Sequence, residues 1–220
     1  MKYLTPTAVL GAACMFSALG LAQDGMLKQQ MSLHPAYTAA ASSPTTSPAT
    51  TGPDVYRVNY FRNANTAGYA SNVIDIVDPG TNGSGNLCAD IYVVTPDEEL
   101  AECCGCKLTP DQLIEISVNG NLTQNAATGG VVHNGVIKII SSTPTASGTC
   151  NAGAPVPTPS LREWITHDTN LTGTHHPTEV EFSNPDLSTA EESSLAGTCA
   201  FFQSHLSGHG ICTCPGLLPN

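Results

Sequence analysis

Apolar and polar residues alternate in short runs along most of the chain. The first run, Val55-Tyr-Arg-Val-Asn-Tyr-Phe61, is rich in β-branched and aromatic residues and predicts a strand. Asn72-Val-Ile-Asp-Ile-Val77 and Asn86-Leu-Cys-Ala-Asp-Ile-Tyr-Val-Val94 predict two more. The turn-rich Asp78-Pro-Gly-Thr-Asn-Gly-Ser-Gly85 between them predicts that they pair as a hairpin. Thr109-Pro110-Asp111-Gln112 has a capping-box pattern, but the alternating Leu113–Val118 follows at once, so it supports a single turn. Val131–Ile140 predicts an edge or half-exposed strand, because His133, Asn134 and Lys138 interrupt it. Leu161–His167 and Thr178–Ser183 predict the last two strands, the second with Val180 and Phe182 on one face and Glu179 and Glu181 on the other. The period changes once. Ser188-Thr-Ala-Glu191 is a capping box, and Leu195, Cys199, Phe202 and Leu206 follow on one helical stripe before Gly208 and Gly210 end it. The pattern as a whole predicts a mainly β, antiparallel β-sandwich-like domain with one C-terminal α-helix on its end or side.

The pattern weakens at both ends. Met1-Lys2-Tyr3 and the apolar run from Leu4 to Leu21, closed by Gly20-Leu21-Ala22, read as a signal peptide over residues 1–22. A retained anchor fits less well, because Pro6 and Ser17 break a run of about 18 residues that barely spans a bilayer. Gly11-Ala-Ala-Cys14 offers a lipoprotein-type alternative after an unusually short apolar run. Residues 23–53 include an uncharged Ser/Thr/Pro/Ala tract from Tyr37 to Pro53 and read as a flexible linker. The β domain then covers 54–214, with a tail at 215–220. No second segment is apolar enough to span a membrane after signal cleavage, so the expected location is exported: periplasm, cell surface or extracellular space.

Export changes the reading of the cysteines. Without Cys14 an even set remains: Cys88, Cys103, Cys104, Cys106, Cys150, Cys199, Cys212 and Cys214. In an oxidising compartment these predict four structural disulfides, whose connectivity the spacing leaves open. Cys103 and Cys104 are adjacent, so an extended chain points them to opposite faces and toward different partners. Cys199 faces the core from the helical stripe, and Cys212 or Cys214 is close enough in sequence to reach back to it. A zinc or copper(I) site is the alternative, but the paired Cys-x-x-Cys spacings of a zinc ribbon are absent.

The charge is strongly acidic: 7 Lys and Arg against 18 Asp and Glu give a net −11. That balance excludes nucleic acid as a partner, since phosphate binding needs clustered Lys and Arg. The best candidate for chemistry is His167-Asp168 with His175-His176-Pro-Thr-Glu179, read as a loop between two strands. His167, His175, His176 and Glu179 are of the right types to hold a divalent metal or to act as acid and base. No Gly-x-Ser-x-Gly elbow, phosphate loop or His-Glu-x-x-His is present, and no catalytic residue is assigned. Asp90, without a partner in the pattern, reads as an outward-facing strand residue.

Cys88-Ala-Asp-Ile-Tyr-Val-Val, Glu102-Cys-Cys-Gly-Cys106 with Thr109-Pro110, Asn121-Leu-Thr, Gly135-Val-Ile-Lys138, Leu161-Arg162 with Trp164, and Gly208-His-Gly-Ile-Cys-Thr-Cys214 carry a resemblance. Over about residues 55–214 the chain resembles an uncharacterised family of secreted, cysteine-rich acidobacterial proteins. The resemblance implies export and a cysteine-rich domain, and it brings no activity or site residue. The expected function is a non-enzymatic binding or structural module of the cell envelope or extracellular space, with no cofactor and with a protein or polysaccharide surface as partner. A metal-assisted hydrolase built on residues 167–181 is the first alternative, and a cysteine-based copper or redox protein the second.

Overall fold

The computed structural model describes residues 54–81, 83, 85–171 and 173–215. The expected signal peptide, the linker and most of the tail lie outside the described residues. Among the described residues eight strands and one α-helix follow in order: β1 Tyr56–Phe61, β2 Val73–Val77, β3 Leu87–Val94, β4 Leu100–Leu108, β5 Leu113–Ser117, β6 Gly135–Ser142, β7 Arg162–Leu171, β8 Thr174–Glu181 and α1 Thr189–His205, with a single π-helical turn at Val118–Leu122 after β5. They form two four-stranded antiparallel sheets, β1-β6-β3-β4 (sheet A) and β5-β2-β7-β8 (sheet B). The expected β-sandwich with a late helix is the fold observed.

Period-two alternation turns one face of each sheet inward. Ile74, Ile76, Ile116 and Ile165 of sheet B meet Leu87, Ile91, Ile137 and Ile139 of sheet A in one buried cluster. A second cluster lies on the other side of sheet A. There Tyr56, Tyr92, Cys103 and Ile140 are covered by Leu195, Cys199 and Phe202 of α1. Sheet A is therefore the middle of three layers. Strand β3 is buried on both faces, as its near-continuous apolar sequence requires.

This layering corrects two expectations. The turn at residues 78–86 does not join a hairpin: β2 pairs with β5 and β7, whereas β3 pairs with β4 and β6 in the other sheet. Strand β6 is not an edge either, because β1 and β3 flank it. The polar residues that suggested an edge either precede the strand, as His133 and Asn134 do, or point outward beside α1, as Lys138 does.

Helix α1 begins where the capping box predicts, with the Ser188 hydroxyl accepting the Glu191 N–H at 3.1 Å. Burying Leu195 and Phe202 contributes about 1.5–3 kcal/mol each, and a covalent link to sheet A adds to that packing, to the helix's own hydrogen bonds and to the cap.

Four disulfides supply that link and others: Cys88–Cys150, Cys103–Cys199, Cys104–Cys212 and Cys106–Cys214. Three of them leave β4, and β3 beside it carries the fourth. Neither Cys212 nor Cys214 pairs with Cys199, contrary to the expectation from sequence proximity. The chain after α1 instead runs beside the outer edge of β4. The Cys103 N–H donates to Gly210 O at 2.8 Å, and the Cys212 N–H donates to Cys103 O at 3.1 Å. This parallel pairing covers an edge that would otherwise expose unpaired backbone groups. Gly210 has φ 75° and lies so close to Phe202 that a Cβ would meet its ring at 2.6 Å.

Candidate functional site

Strands β3 and β4 form the true hairpin of the cysteine region, joined by Thr95-Pro96-Asp97-Glu98-Glu99. The Thr95 N–H donates to Glu99 O at 2.9 Å and the Glu98 N–H to Thr95 O at 3.0 Å. Pro96 presets its own φ for the turn, and Glu98 closes it at φ 65°, in the left-handed region that favours glycine. Beside this turn a cleft of about 810 Å³ lies between sheet A and α1, within the range of ligand-binding pockets. Val94 and Val136, cross-strand partners, line its sheet side, and Leu195 and Phe202 line its helix side.

The rim is polar. Lys138 Nζ lies 2.5 Å from Glu191 Oε1, and the Tyr56 hydroxyl donates to the same oxygen at 3.1 Å. Burial, and then the charge of Glu191, push the Tyr56 phenol far above its ordinary value, so it remains a donor. Glu98 and Glu99 occupy the other side of the rim, and among the described residues no cation pairs with either. The arrangement suits an apolar group seated between the valines and α1 beneath charged edges.

The histidine segment is not a loop. Strands β7 and β8 extend through it as a hairpin, with Thr169 opposite His176 and Asn170 opposite His175. Alternation therefore puts His167 and His176 on one face, and His175 and Glu179 on the other. His167 is buried and stacks on Tyr60 at 4.6 Å, with Nδ1 3.1 Å from Asn72 Oδ1. Burial, and then the nearby Arg62 charge, lower its pKa. His175 Nδ1 sits 2.5 Å from Asp168 Oδ2, which also accepts the Ala70 N–H. The His175 hydrogen bond is the main reason the Asp168 carboxyl lies below its ordinary range. His176 and Glu179 are exposed. The four candidate ligands are thus divided between two faces, and among the described residues they form no cluster of three.

One cluster of sulfur does form: Cys104, Cys106 and Cys214 have Sγ atoms within 4.8 Å of one another. Two disulfides lying side by side produce it, and sulfur bonded in this way is not the thiolate that a soft metal binds.

Two acidic residues of sheet A are buried without a cation. Asp90 is fully buried, against the expectation of an outward-facing residue, and accepts the Ser142 hydroxyl at 2.5 Å. Burial pushes its carboxyl up to about 7, with the Ser142 bond opposing. Glu102 is buried too, accepts the Asn125 N–H at 2.6 Å, and is pushed up to about 7 for the same reason.

The cleft is the feature that the sequence pattern did not assemble. Its parts were visible singly, as an acidic turn at 97–99, a lysine interrupting a strand, and a capped helix. The contact between Lys138 and Glu191 joins positions 53 residues apart. No family model matches the chain, and no curated protein matches it. Among solved structures, the crystal structure of Thermotoga maritima 1070 is similar over 60% of this chain and 96% of its own length, at 8% identity and a TM-score of 0.39.

Proposed function

We infer that this protein is an exported, non-enzymatic binding module of the cell envelope or extracellular space, and that the cleft between α1 and sheet A seats its ligand. The observation that carries the reading is the cleft itself, with apolar walls and polar edges beneath a covalently anchored helix. Four disulfides support an oxidising compartment. Among the described residues no helix is long and apolar enough to cross a membrane. The Ser/Thr/Pro/Ala tract before residue 54 would then space the domain from its point of attachment. The hydrolase alternative has less support, because its four residues do not share a face. The copper or redox alternative requires reduced thiols, and all eight cysteines of the domain are paired.

A cleft-filling variant tests the reading. Wild type and Ser194→Trp are mixed with isolated cell envelopes, and their binding of the neutral apolar dye Nile red is measured in parallel. The wild type should sediment with the envelopes and bind one dye, and the variant should do neither. Equal sedimentation of the two proteins rejects the cleft as the binding site.

A further inference from the structure

The cleft does not end at the β3–β4 turn. A second depression of about 240 Å³ lies on the other side, and Thr95, Pro96, Glu99 and Thr128 line both. Val131, 65% exposed, lies in this extension. The combined groove therefore runs from Leu195 and Phe202 on α1, past the turn, to Val131. Apolar positions stand at both ends, and the turn lies between them.

Its charges are one-sided. Lys138, the cation of the groove, is neutralised by Glu191 at 2.5 Å. Asp97, Glu98 and Glu99 line the middle, all exposed, and none pairs with a cation among the described residues. A long groove with apolar ends and an unbalanced acidic middle complements an extended chain that carries apolar side chains and a positive charge between them.

We propose that the groove binds an extended segment of a partner protein in which basic residues alternate with apolar ones. The apolar side chains enter beside Val94 and Phe202 and beside Val131, and the basic residues lie against Glu98 and Glu99. The proposal rests on the reading of the cleft as a ligand seat. It adds the class of ligand and the residues that select it.

The test uses two synthetic decapeptides, one alternating lysine with valine and the other alternating glutamate with valine, titrated by calorimetry against the disulfide-intact protein. The lysine peptide should bind at least about tenfold more tightly, an advantage that shrinks as salt rises. Glu98→Gly and Glu99→Gln should each weaken it about two- to fivefold. Glu115→Gln and Glu179→Gln, which remove the same charge from sheet B, should leave it unchanged. Ser194→Trp should abolish it. If the sheet B substitutions weaken binding as much as those at the turn, the lysine peptide is following net charge and the proposal fails. If both peptides bind equally, or neither binds while Nile red still does, the ligand class is wrong and the cleft reading survives. If neither dye nor peptide binds, both fall.

Discussion

Cys103 and Cys104 are consecutive residues of β4 whose sulfurs enter different layers. Cys103 reaches outward to Cys199 on α1, whereas Cys104 reaches into the inter-sheet core to Cys212. Strand alternation makes this divergence unavoidable, and the fold uses it to fasten two structures to one strand. The outer bond holds the helix that walls the cleft. The inner bond, with Cys106–Cys214, holds the segment that covers the strand's edge.

The two bonds should therefore fail differently. Cys103→Ser with Cys199→Ser opens a bridge between residues 96 positions apart, a loss of about 3–5 kcal/mol. Denaturant unfolding should show that loss, and Nile red binding should fall because α1 loses its anchor. Replacing Cys106 and Cys214 instead should lower stability while the folded protein still binds the dye. Equal loss of dye binding in both pairs of variants would contradict the assignment of α1 as the cleft wall.

Stability should fall as the pH rises from about 4 to 7. Asp90 and Glu102 have folded-state values pushed up to about 7 from ordinary values of 3.8 and 4.5. Between those limits the unfolded chain has released protons that the folded chain retains. Each pH unit then costs about 1.4 kcal/mol per group, and above the folded value the loss is complete. Asp90→Asn and Glu102→Gln remove the titration while keeping an acceptor for Ser142 and for the Asn125 N–H. Melting temperatures measured from pH 4 to 8 should slope downward in the wild type and less steeply in each variant. An unchanged slope in both would refute the account.

Two glycines should respond with opposite signs. Gly105 lies in β4 where a Cβ would stand 2.8 Å from both Asp90 Oδ1 and Cys150 Cβ, and the disulfide leaves Cys150 little room to move. Gly105→Ala should cost about 1–3 kcal/mol. Gly197 lies within α1 with nothing inside 4 Å of a Cβ, so Gly197→Ala should gain about 0.5–1 kcal/mol from helix propensity. The denaturant midpoints of the two variants, read against wild type, decide both.

Sequence and structure agree where a local rule determines the conformation. The Ser188 cap, the single turn at Thr109–Gln112 and the opposed directions of Cys103 and Cys104 are all of that kind. Strand β4 escaped because both of its faces are buried. Leu100-Ala-Glu-Cys-Cys-Gly-Cys-Lys-Leu108 therefore shows no alternation, and it contains a buried glutamate and a glycine that strand propensity disfavours. The turn at 78–86 has hairpin chemistry, but turn residues do not specify whether the next strand stays in the same sheet or crosses to the other. The burial of Asp90 and the pairing of Lys138 depend on Ser142 and Glu191, each about 50 positions away, and no local pattern encodes such contacts.

A buried ion pair joins the two sheets. Arg57 of β1 and Glu163 of β7 are both buried, with Arg57 Nε 3.2 Å from Glu163 Oε2. The approach is not aligned as a hydrogen bond, and neither carboxylate oxygen of Glu163 has one. Burial raises the Glu163 carboxyl, and the charges of Arg57 and then Arg162 oppose it. Arg57 also contacts Asp54 at 2.8 Å, and Arg162 contacts the same oxygen. Burial already pushes the Glu163 carboxyl up to about 7, so Arg57→Leu raises it further, and the resulting loss of stability should grow as the pH rises from about 7 to 9. Adding Glu163→Leu removes the stranded charge, so the double variant should recover much of that loss. Urea unfolding of the two single variants and the double variant gives the coupling directly. Additive losses would mean that the two side chains, although 3.2 Å apart, do not depend on one another.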